Sequence, residues 1–287
     1  MVERCYVPKS LEEALSIRKE TGAHPLAGGS DLMVQYKQGL GITPVFPFPV
    51  MIISSLDDLK GIETLEDGSI LIRALSTPAE IASFEGMPYP VRCAASRMGA
   101  VALRNTATIG GNLGNASPKG DLPQPLILLD ATVVLKSQDG EREMKVDDFI
   151  LGSKKTALAD DEIIYAVRIP RVEYTHVYYR KIGTRRANAI SKLSLSALAR
   201  VEDGVVVDFR AASGAAGPKV IRSHETEDIL KGHGVDEMDS LMPAILEGWN
   251  NAISPHAMPE YRRATTRRML EHFLSSIAAH QEGGIIE

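Results

Sequence analysis

Apolar residues in the first fifty positions alternate between short runs and one helical stripe. Residues 11–17 carry apolar side chains at helical spacing, directly after Ser10, which opens a capping box. Apolar runs at 25–27 and 50–53 predict strands, and a second helix between them is expected to end at Gly39. Strands that are separated by helices favour a small parallel sheet.

The pattern changes after about residue 56, where a turn signal separates two apolar runs. An Asp67-Gly68 dipeptide between apolar runs at 62–65 and 70–74 predicts a β-hairpin. The segment 108–115 contains too many glycines for a regular helix or strand. The remaining predicted elements are a capping-box helix that begins at Thr77, helices at 91–98 and 121–129, and strands at 132–136, 141–146 and 163–169.

After Pro170 the chain changes again, to alternating strands followed by helices. This order is typical of a separate α+β unit. The predicted strands lie at 176–182, 193–201 and 205–211, and the predicted helices at 225–230, 236–249 and 258–279.

These elements together predict an α+β fold with two domains, at 1–172 and 173–287. The first domain is expected to have two subdomains, at about 1–55 and 56–172. The earlier subdomain would contain the small parallel βαβ sheet, and the later one a mixed or antiparallel sheet with helices. The second domain would contain a three-stranded antiparallel sheet and helices.

Composition excludes several classes of protein. The 287 residues contain 32 Lys+Arg against 37 Asp+Glu, a formal charge of −5, and lack the basic block expected for nucleic-acid binding. No apolar run approaches the ~18 residues of a membrane span, and no secretory signal is seen, so a cytoplasmic protein is expected. Cys5 and Cys93 do not have metal-ligand spacing and are predicted to be buried, reduced thiols.

Two glycine pairs lie in contexts that suit an anionic ligand. Gly28-Gly29 stands where a strand passes into a helix, so backbone N–H groups can face an anion without an intervening Cβ; a plain βα turn is the alternative. The pair lacks the third glycine of the Rossmann fingerprint and the Gly-Lys of a P-loop. Gly110-Gly111 lies between Thr108 and Asn112, which can donate hydrogen bonds. Two such bends suit a pyrophosphate that is held from both sides, as in a long dinucleotide such as FAD.

Three sequence runs together resemble one known family. They are AGGSDL at 27–32, RNTATIGGN at 104–112 and ASPKGD at 116–121, and the resemblance continues in order over nearly the whole chain. The family is the FAD-binding, or medium, subunit of molybdenum hydroxylases such as the bacterial xanthine, carbon monoxide and nicotinate dehydrogenases.

This resemblance implies an FAD-dependent oxidoreductase subunit that is active only within a hetero-oligomeric complex. Its partners would be a molybdopterin-binding large subunit and a small [2Fe-2S] subunit. Electrons from the iron–sulfur clusters would pass through this chain to NAD or another acceptor.

The resemblance also assigns the cofactor contacts. Residues 25–32 would hold the FAD pyrophosphate, 108–112 would lie on its other side, and Asp121 would accept a hydrogen bond from a cofactor hydroxyl. Lys181 would stand near the flavin and raise its potential. The full set is Pro25, Leu26, Ala27, Gly28, Gly29, Ser30, Asp31, Leu32, Met98, Thr108, Ile109, Gly110, Gly111, Asn112, Asp121, Tyr165 and Lys181.

Several of these side chains also have an ordinary structural interpretation. Asp31 can start a helix, Asp121 can cap the helix that follows it, and Met98 can fill the core. Tyr165 and Lys181 can be exposed residues of strands. No proton-transferring catalytic residue and no metal ligand is predicted.

Departures from the family pattern bear on how FAD is attached and on which further cofactors the chain can hold. Relatives that attach FAD covalently use a histidine in the first glycine segment, where this chain has GGSD, so non-covalent FAD is expected. The two cysteines exclude the additional four-iron cluster of one family branch. The stretch 41–49 is longer than the usual connection and has no assigned role. A stand-alone flavin oxidoreductase and a flavin-free assembly subunit are the alternative functions.

Overall fold

The computed structural model of the chain describes residues 4–185, 187–279 and 283–286. These residues form one three-stranded sheet, two five-stranded sheets and a two-stranded ribbon, with helices packed against them. The α+β class is therefore confirmed. Within the described ranges, no helix is both long and apolar enough to cross a membrane.

The N-terminal segment forms the predicted parallel sheet. Helix α1 (Leu11–Thr21) begins after Ser10, whose hydroxyl accepts the N–H of Glu13 at 3.2 Å, and it ends at Gly22 in the left-handed conformation. The sheet has the order β1-β3-β2, and both pairings are parallel. The other elements of this segment are β1 (Cys5–Tyr6), β2 (His24–Leu26), α2 (Leu32–Gln35) and β3 (Val50–Ile52).

Helix α2 is shorter than the sequence predicts. It ends at Gln35 rather than at Gly39. The reason is the ring of Tyr36, which packs against Phe46 and Phe48 with ring centroids 5.5 and 5.3 Å apart. These contacts turn the chain immediately after one turn of helix, before the glycine is reached.

The stretch 41–49, for which the sequence suggests no role, supplies these aromatic rings. Phe46 is buried, and Phe48 stacks on His24 of β2 with the ring centroids 4.0 Å apart. Burial lowers the pKa of His24, which favours the neutral ring. The stretch therefore packs onto the strand that leads into the first glycine pair.

The middle of the chain forms a five-stranded antiparallel sheet with the order β4-β5-β10-β6-β7. The predicted hairpin and the Thr77 capping box are confirmed. The strands are β4 (Ile62–Thr64), β5 (Ile70–Arg73), β6 (Thr132–Ser137), β7 (Gly140–Lys145) and β10 (Ile163–Ile169), with β8 (Ile150–Gly152) and β9 (Lys155–Thr156) forming the ribbon. The helices are α3 (Pro78–Ser83), α4 (Tyr89–Ser96), α5 (Val101–Arg104), α6 (Ile109–Gly114), α7 (Pro123–Leu128) and α8 (Val146–Phe149).

Helix α6 corrects the expectation of an irregular segment at 108–115. The Thr108 hydroxyl accepts the N–H of Gly111 at 3.1 Å and so caps the helix. The N–H of Gly110 donates to the carbonyl of Ala74 at 2.9 Å, and a Cβ on this glycine would lie 2.8 Å from the Ala74 Cβ. The cap and this close contact with the end of β5 outweigh the low helix propensity of glycine.

The C-terminal part forms a second five-stranded sheet with the order β14-β13-β12-β11-β15. The three predicted strands form its centre, and a short strand is added at each edge; β15 pairs with β11 in parallel. The strands are β11 (His176–Gly183), β12 (Ser191–Glu202), β13 (Val205–Gly214), β14 (Ile221–Arg222) and β15 (Gly284–Ile286), and the helices are α9 (His224–Asp228), α10 (Met238–Ala252) and α11 (Pro259–Ala279).

Strand β12 separates two packed layers. Its residues Leu193 and Leu195 are fully buried in the cluster that includes α10 and α11. Ser196, on the other face, donates to Gln124 of α7 at 3.0 Å. The C-terminal sheet therefore packs against α7.

Both cysteines are more exposed than the sequence predicts. Cys5 is exposed and Cys93 is half-buried, and both are free. Cys5 lies on β1, at the edge of the small sheet, and its neighbour Tyr6 takes the core-facing side of this two-residue strand.

Candidate functional site

Gly28 brings two segments that are distant in sequence into direct contact. A Cβ on Gly28 would lie 1.7 Å from the carbonyl oxygen of Thr106, so only glycine allows the first bend to pack against the segment that leads into α6. Gly29 continues the bend with φ at +64°, in the left-handed region. The structure therefore places the two glycine-rich segments side by side.

The residues on each side of this bend belong to regular elements. Pro25 and Leu26 end β2, and Leu32 begins α2. Ala27 packs against the core of the small sheet, and Ser30 is half-buried. The predicted set 25–32 therefore runs from a strand end, through the bend, to a helix start, which is the arrangement expected of an anion-binding turn.

Polar side chains also connect the two segments. The Nδ2 amide group of Asn115 donates to the Asp31 carboxylate, and the Gln35 amide donates to Asn115 Oδ1 at 2.7 Å. Asp31 stands before α2 but makes no side-chain cap bond, so its carboxylate serves this connection instead. Sequence reasoning missed Asn115 and Gln35; Asn115 ends the glycine-rich run, which was the available signal.

The first turn of α6 contains a buried acceptor that lacks a donor. Asn112 Oδ1 is buried and has no hydrogen-bond partner among the residues that the structure describes. A Cβ on Gly120 would lie 3.4 Å from this oxygen, so the oxygen faces the turn that precedes Asp121. A buried acceptor without a donor is unfavourable by about 1–3 kcal/mol. The atom is therefore suited to accept a hydrogen bond from a bound group.

Asp121 and Lys181, which are 60 positions apart, form a buried ion pair. Lys181 Nζ donates to Asp121 Oδ2 at 2.8 Å and to the carbonyl of Arg97 at 3.0 Å. The hydroxyl of Ser191 donates to Asp121 Oδ1 at 2.7 Å. Two strands of the C-terminal sheet therefore hold a carboxylate that the N-terminal part supplies.

This geometry excludes the ordinary structural interpretations of Asp121 and Lys181 that the sequence left open. Helix α7 begins after Leu122 and has no side-chain cap, so Asp121 does not act as its cap. The Lys181 side chain is 7% exposed, so it is not a solvated strand lysine. Burial raises the pKa of Asp121, and the contacts with Lys181 and Ser191 oppose that effect.

Met98 and Tyr179 lie near the ion pair. Met98 is buried and follows Arg97, whose carbonyl accepts from Lys181; the burial suits both a core residue and a cofactor contact. Tyr179 lies two residues before Lys181 on β11, hence on the same face, and its buried hydroxyl has no partner within the described ranges. Burial raises the pKa of Tyr179 well above its usual value. Sequence reasoning missed this tyrosine.

The Tyr165 side chain contacts two cations. Its hydroxyl accepts from Arg73 at 2.5 Å, and Lys136 Nζ lies 4.7 Å from its ring centroid. It packs with the core of the small sheet, whereas its neighbour Ile164 faces the core that contains α6. Its contact with a cofactor stays a prediction.

Thus the site is a continuous row of backbone and polar groups. It runs from the Gly28 bend, along the first turn of α6, past Asn112 to the Asp121–Lys181 pair. Among the described residues, no group of three His, Cys, Asp or Glu side chains is placed to hold a metal ion. Such a row suits an extended polar ligand that has an anionic part near glycine and hydroxyl groups near the buried acceptors.

Comparisons with protein families agree with these features. Residues 1–172 match the family model described as the FAD binding domain in molybdopterin dehydrogenase. Residues 178–277 match the CO dehydrogenase flavoprotein C-terminal domain.

Individual relatives cover nearly the whole chain. The chain is 30% identical over 295 residues to the nicotinate dehydrogenase FAD-subunit of Eubacterium barkeri, with 98% of each chain covered. It is 28% identical to the xanthine dehydrogenase FAD-binding subunit of Escherichia coli O157:H7, over 90% of this chain and 89% of the relative. The fold is similar to that of a chain in the carbon monoxide dehydrogenase of Hydrogenophaga pseudoflava, with a TM-score of 0.86, 23% identity and 98% of both chains covered.

Proposed function

We propose, since this chain belongs to the family of FAD-binding medium subunits of molybdenum hydroxylases, that it is the electron-transfer subunit of such a complex. In this role it accepts electrons from the [2Fe-2S] clusters of a small partner subunit and passes them to NAD or another acceptor. A molybdopterin-binding large subunit oxidises the substrate. FAD supplies the redox chemistry when bound, and the chain supplies binding, orientation and electrostatics.

The observation that carries this proposal is the contact of Gly28 with the carbonyl of Thr106. Because of that contact, the bend at 28–29 lies beside the segment that leads into α6. Among the described residues, a Cβ on Gly111 would meet only the Thr108 hydroxyl within 4 Å, so there is space beside the first turn of this helix. We assign the FAD pyrophosphate to this space, between residues 25–32 and 108–112.

The polar groups farther along the row would orient the rest of the cofactor. Asn112 Oδ1 is a buried acceptor without a donor, and the Asp121 carboxylate is held in place from the C-terminal sheet. Both oxygens suit the hydroxyl groups of an FAD chain. Lys181 neutralises the buried Asp121 carboxylate, so without this lysine a cofactor state with negative charge would face an uncompensated carboxylate; its presence would therefore raise the midpoint potential.

The chain is proposed to bind FAD without a covalent bond. The segment 27–32 reads AGGSDL and contains no histidine or cysteine for attachment. Acid precipitation should therefore release all the flavin into the supernatant. Flavin that stays with the precipitate would contradict this assignment.

The test of the proposal is gentle isolation of the tagged chain with its natural partners. The expected result is a complex that contains one FAD per chain together with molybdenum and iron, in which substrate reduces the flavin and NAD or another acceptor reoxidises it. Flavin without molybdenum or iron would favour the stand-alone oxidoreductase. A complex without flavin would favour the assembly subunit.

A further inference from the structure

An irregularity in the pairing of β11 with β12 determines where the Ser191 side chain lies. Lys181 pairs with Ser194, but the register shifts beyond them, so that Gly183 pairs with Ser191 and Lys192 is the additional residue of a β-bulge. Bulges of this kind redirect a side chain relative to strict alternation.

The redirected side chain is Ser191. With strict alternation it would lie on the face of Leu193, which is fully buried on the side of α10 and α11. In the structure its hydroxyl instead lies on the face of Lys181 and donates to Asp121 at 2.7 Å. The bulge therefore places two donors, from adjacent strands, on one carboxylate.

The two donors have different consequences for the Asp121 carboxylate. Lys181 supplies charge to Oδ2, whereas Ser191 contributes a neutral hydroxyl to Oδ1 and is itself buried. A carboxylate that is held at both oxygens has a fixed plane. Without the hydroxyl, Lys181 alone would leave the carboxylate free to turn about its bond to Cβ.

We propose that Ser191 is a positioning residue of the FAD site, which holds the Asp121 carboxylate in the orientation that accepts a cofactor hydroxyl. This inference rests on the proposed function, because the contact between Asp121 and the cofactor is assigned there. The inference adds Ser191 of the C-terminal sheet to the FAD site, as a residue that acts on the cofactor through Asp121 and not by its own contact.

Ser196 offers a matched control on the same strand. It is also buried, and its hydroxyl likewise donates to a side chain of the N-terminal part, Gln124 of α7, at 3.0 Å. Replacement of either serine by alanine therefore removes one buried hydroxyl and one hydrogen bond between the same two parts of the chain. Only the Ser191 bond is made to Asp121, the residue that is proposed to bind the cofactor.

The experiment measures FAD dissociation constants of the full chain, freed of flavin, by quenching of flavin fluorescence. Ser191→Ala is expected to weaken FAD binding about tenfold, Ser191→Thr to restore most of it, and Ser196→Ala to change it less than twofold. Unchanged affinity in Ser191→Ala, or equal losses in the two alanine variants, would overturn the positioning role.

A double-mutant cycle with Asp121→Asn separates this inference from the proposed function. If Ser191 acts through Asp121, Ser191→Ala should have little further effect on FAD affinity in the Asp121→Asn background. An additive loss would overturn the inference. Asp121→Asn without any loss would overturn both the assigned contact and the inference, whereas a wild-type chain that does not bind FAD would overturn the proposed function itself. If Ser191→Ala does not fold, Ser191→Thr compared with Ser191→Val, which differ only in the hydroxyl, answers the same question.

Discussion

Two glycines of α6 allow the proposed pyrophosphate position to be tested without disturbing the fold. Gly111 and Gly114 are both exposed and lie one turn apart in the same helix. Gly111 is in the first turn, next to the capping residue Thr108, and Gly114 ends the helix. Gly111→Ala is the test substitution, and Gly114→Ala is its control.

The surroundings of both glycines admit a methyl group. Among the described residues, a Cβ on Gly111 would meet Thr108 Oγ1 at 3.0 Å, a tight contact that requires a small shift of this hydroxyl. A Cβ on Gly114 would meet Ile164 Cδ1 at 3.4 Å, an ordinary contact distance. Alanine is favoured over glycine inside a helix by up to about 1 kcal/mol, so neither flavin-free variant should lose stability. The Gly111 methyl group, however, projects into the space assigned to the pyrophosphate. We expect FAD to bind at least about tenfold more weakly, which corresponds to about 1.4 kcal/mol.

Flavin fluorescence titration gives the dissociation constant, and denaturant unfolding of the flavin-free variants gives their stability. The expected combination is weaker FAD binding by Gly111→Ala alone, with both unfolding free energies equal to or above that of the wild type. Full FAD affinity in Gly111→Ala would refute the assignment of this space. Equal weakening in both variants would show a general effect of helix substitution instead.

Three further predictions follow from the ion pairs. Lys181→Met should lower the flavin midpoint potential in dye-equilibrated reduction, because it removes the proposed neighbouring cation; an unchanged potential would contradict that role. Arg222→Met should reduce the unfolding free energy by about 3–5 kcal/mol in denaturant titration, because it leaves the buried Glu227 carboxylate without its main cation; a marginal loss would contradict this. The hydrogen bond from Arg142 lowers the pKa of Glu162, so the pair stabilises the fold at neutral pH and this contribution is lost as the pH falls through that lowered pKa. Stability profiles of wild type and Arg142→Gln should therefore differ at neutral pH and converge in acid.

Local signals in the sequence were sufficient for most of the fold. The Ser10 cap, the Gly22 stop and the Asp67-Gly68 turn each depend on neighbouring residues, and the structure contains all three. Helix α6 could not be foreseen in this way. Its glycines disfavour a helix locally, and the contact with Ala74 that compensates comes from a distant strand.

In the candidate site, too, local features could be predicted from the sequence and contacts between distant residues could not. The glycine pairs were visible in the sequence, but the contact that Gly28 makes is with the Thr106 carbonyl, a backbone atom without any residue signature. Ser191 was missed because it lies before the predicted strand at 193–201, and because a bulge places it on the opposite side from the one that strict alternation would give. The Asp121–Lys181 pair joins two parts of the chain, so no local pattern could reveal it.

Asp121 belongs to the N-terminal part of the chain, whereas its two donors belong to the C-terminal sheet. The interface between these two halves and the proposed ligand site therefore share the same atoms. Any ligand that favours this arrangement also holds the halves together. At a hundred times its dissociation constant, such a ligand adds about 2.7 kcal/mol to the stability of the folded chain. Removal of the flavin would therefore lower the unfolding free energy of the whole chain, and its effect would not be confined to the ligand site.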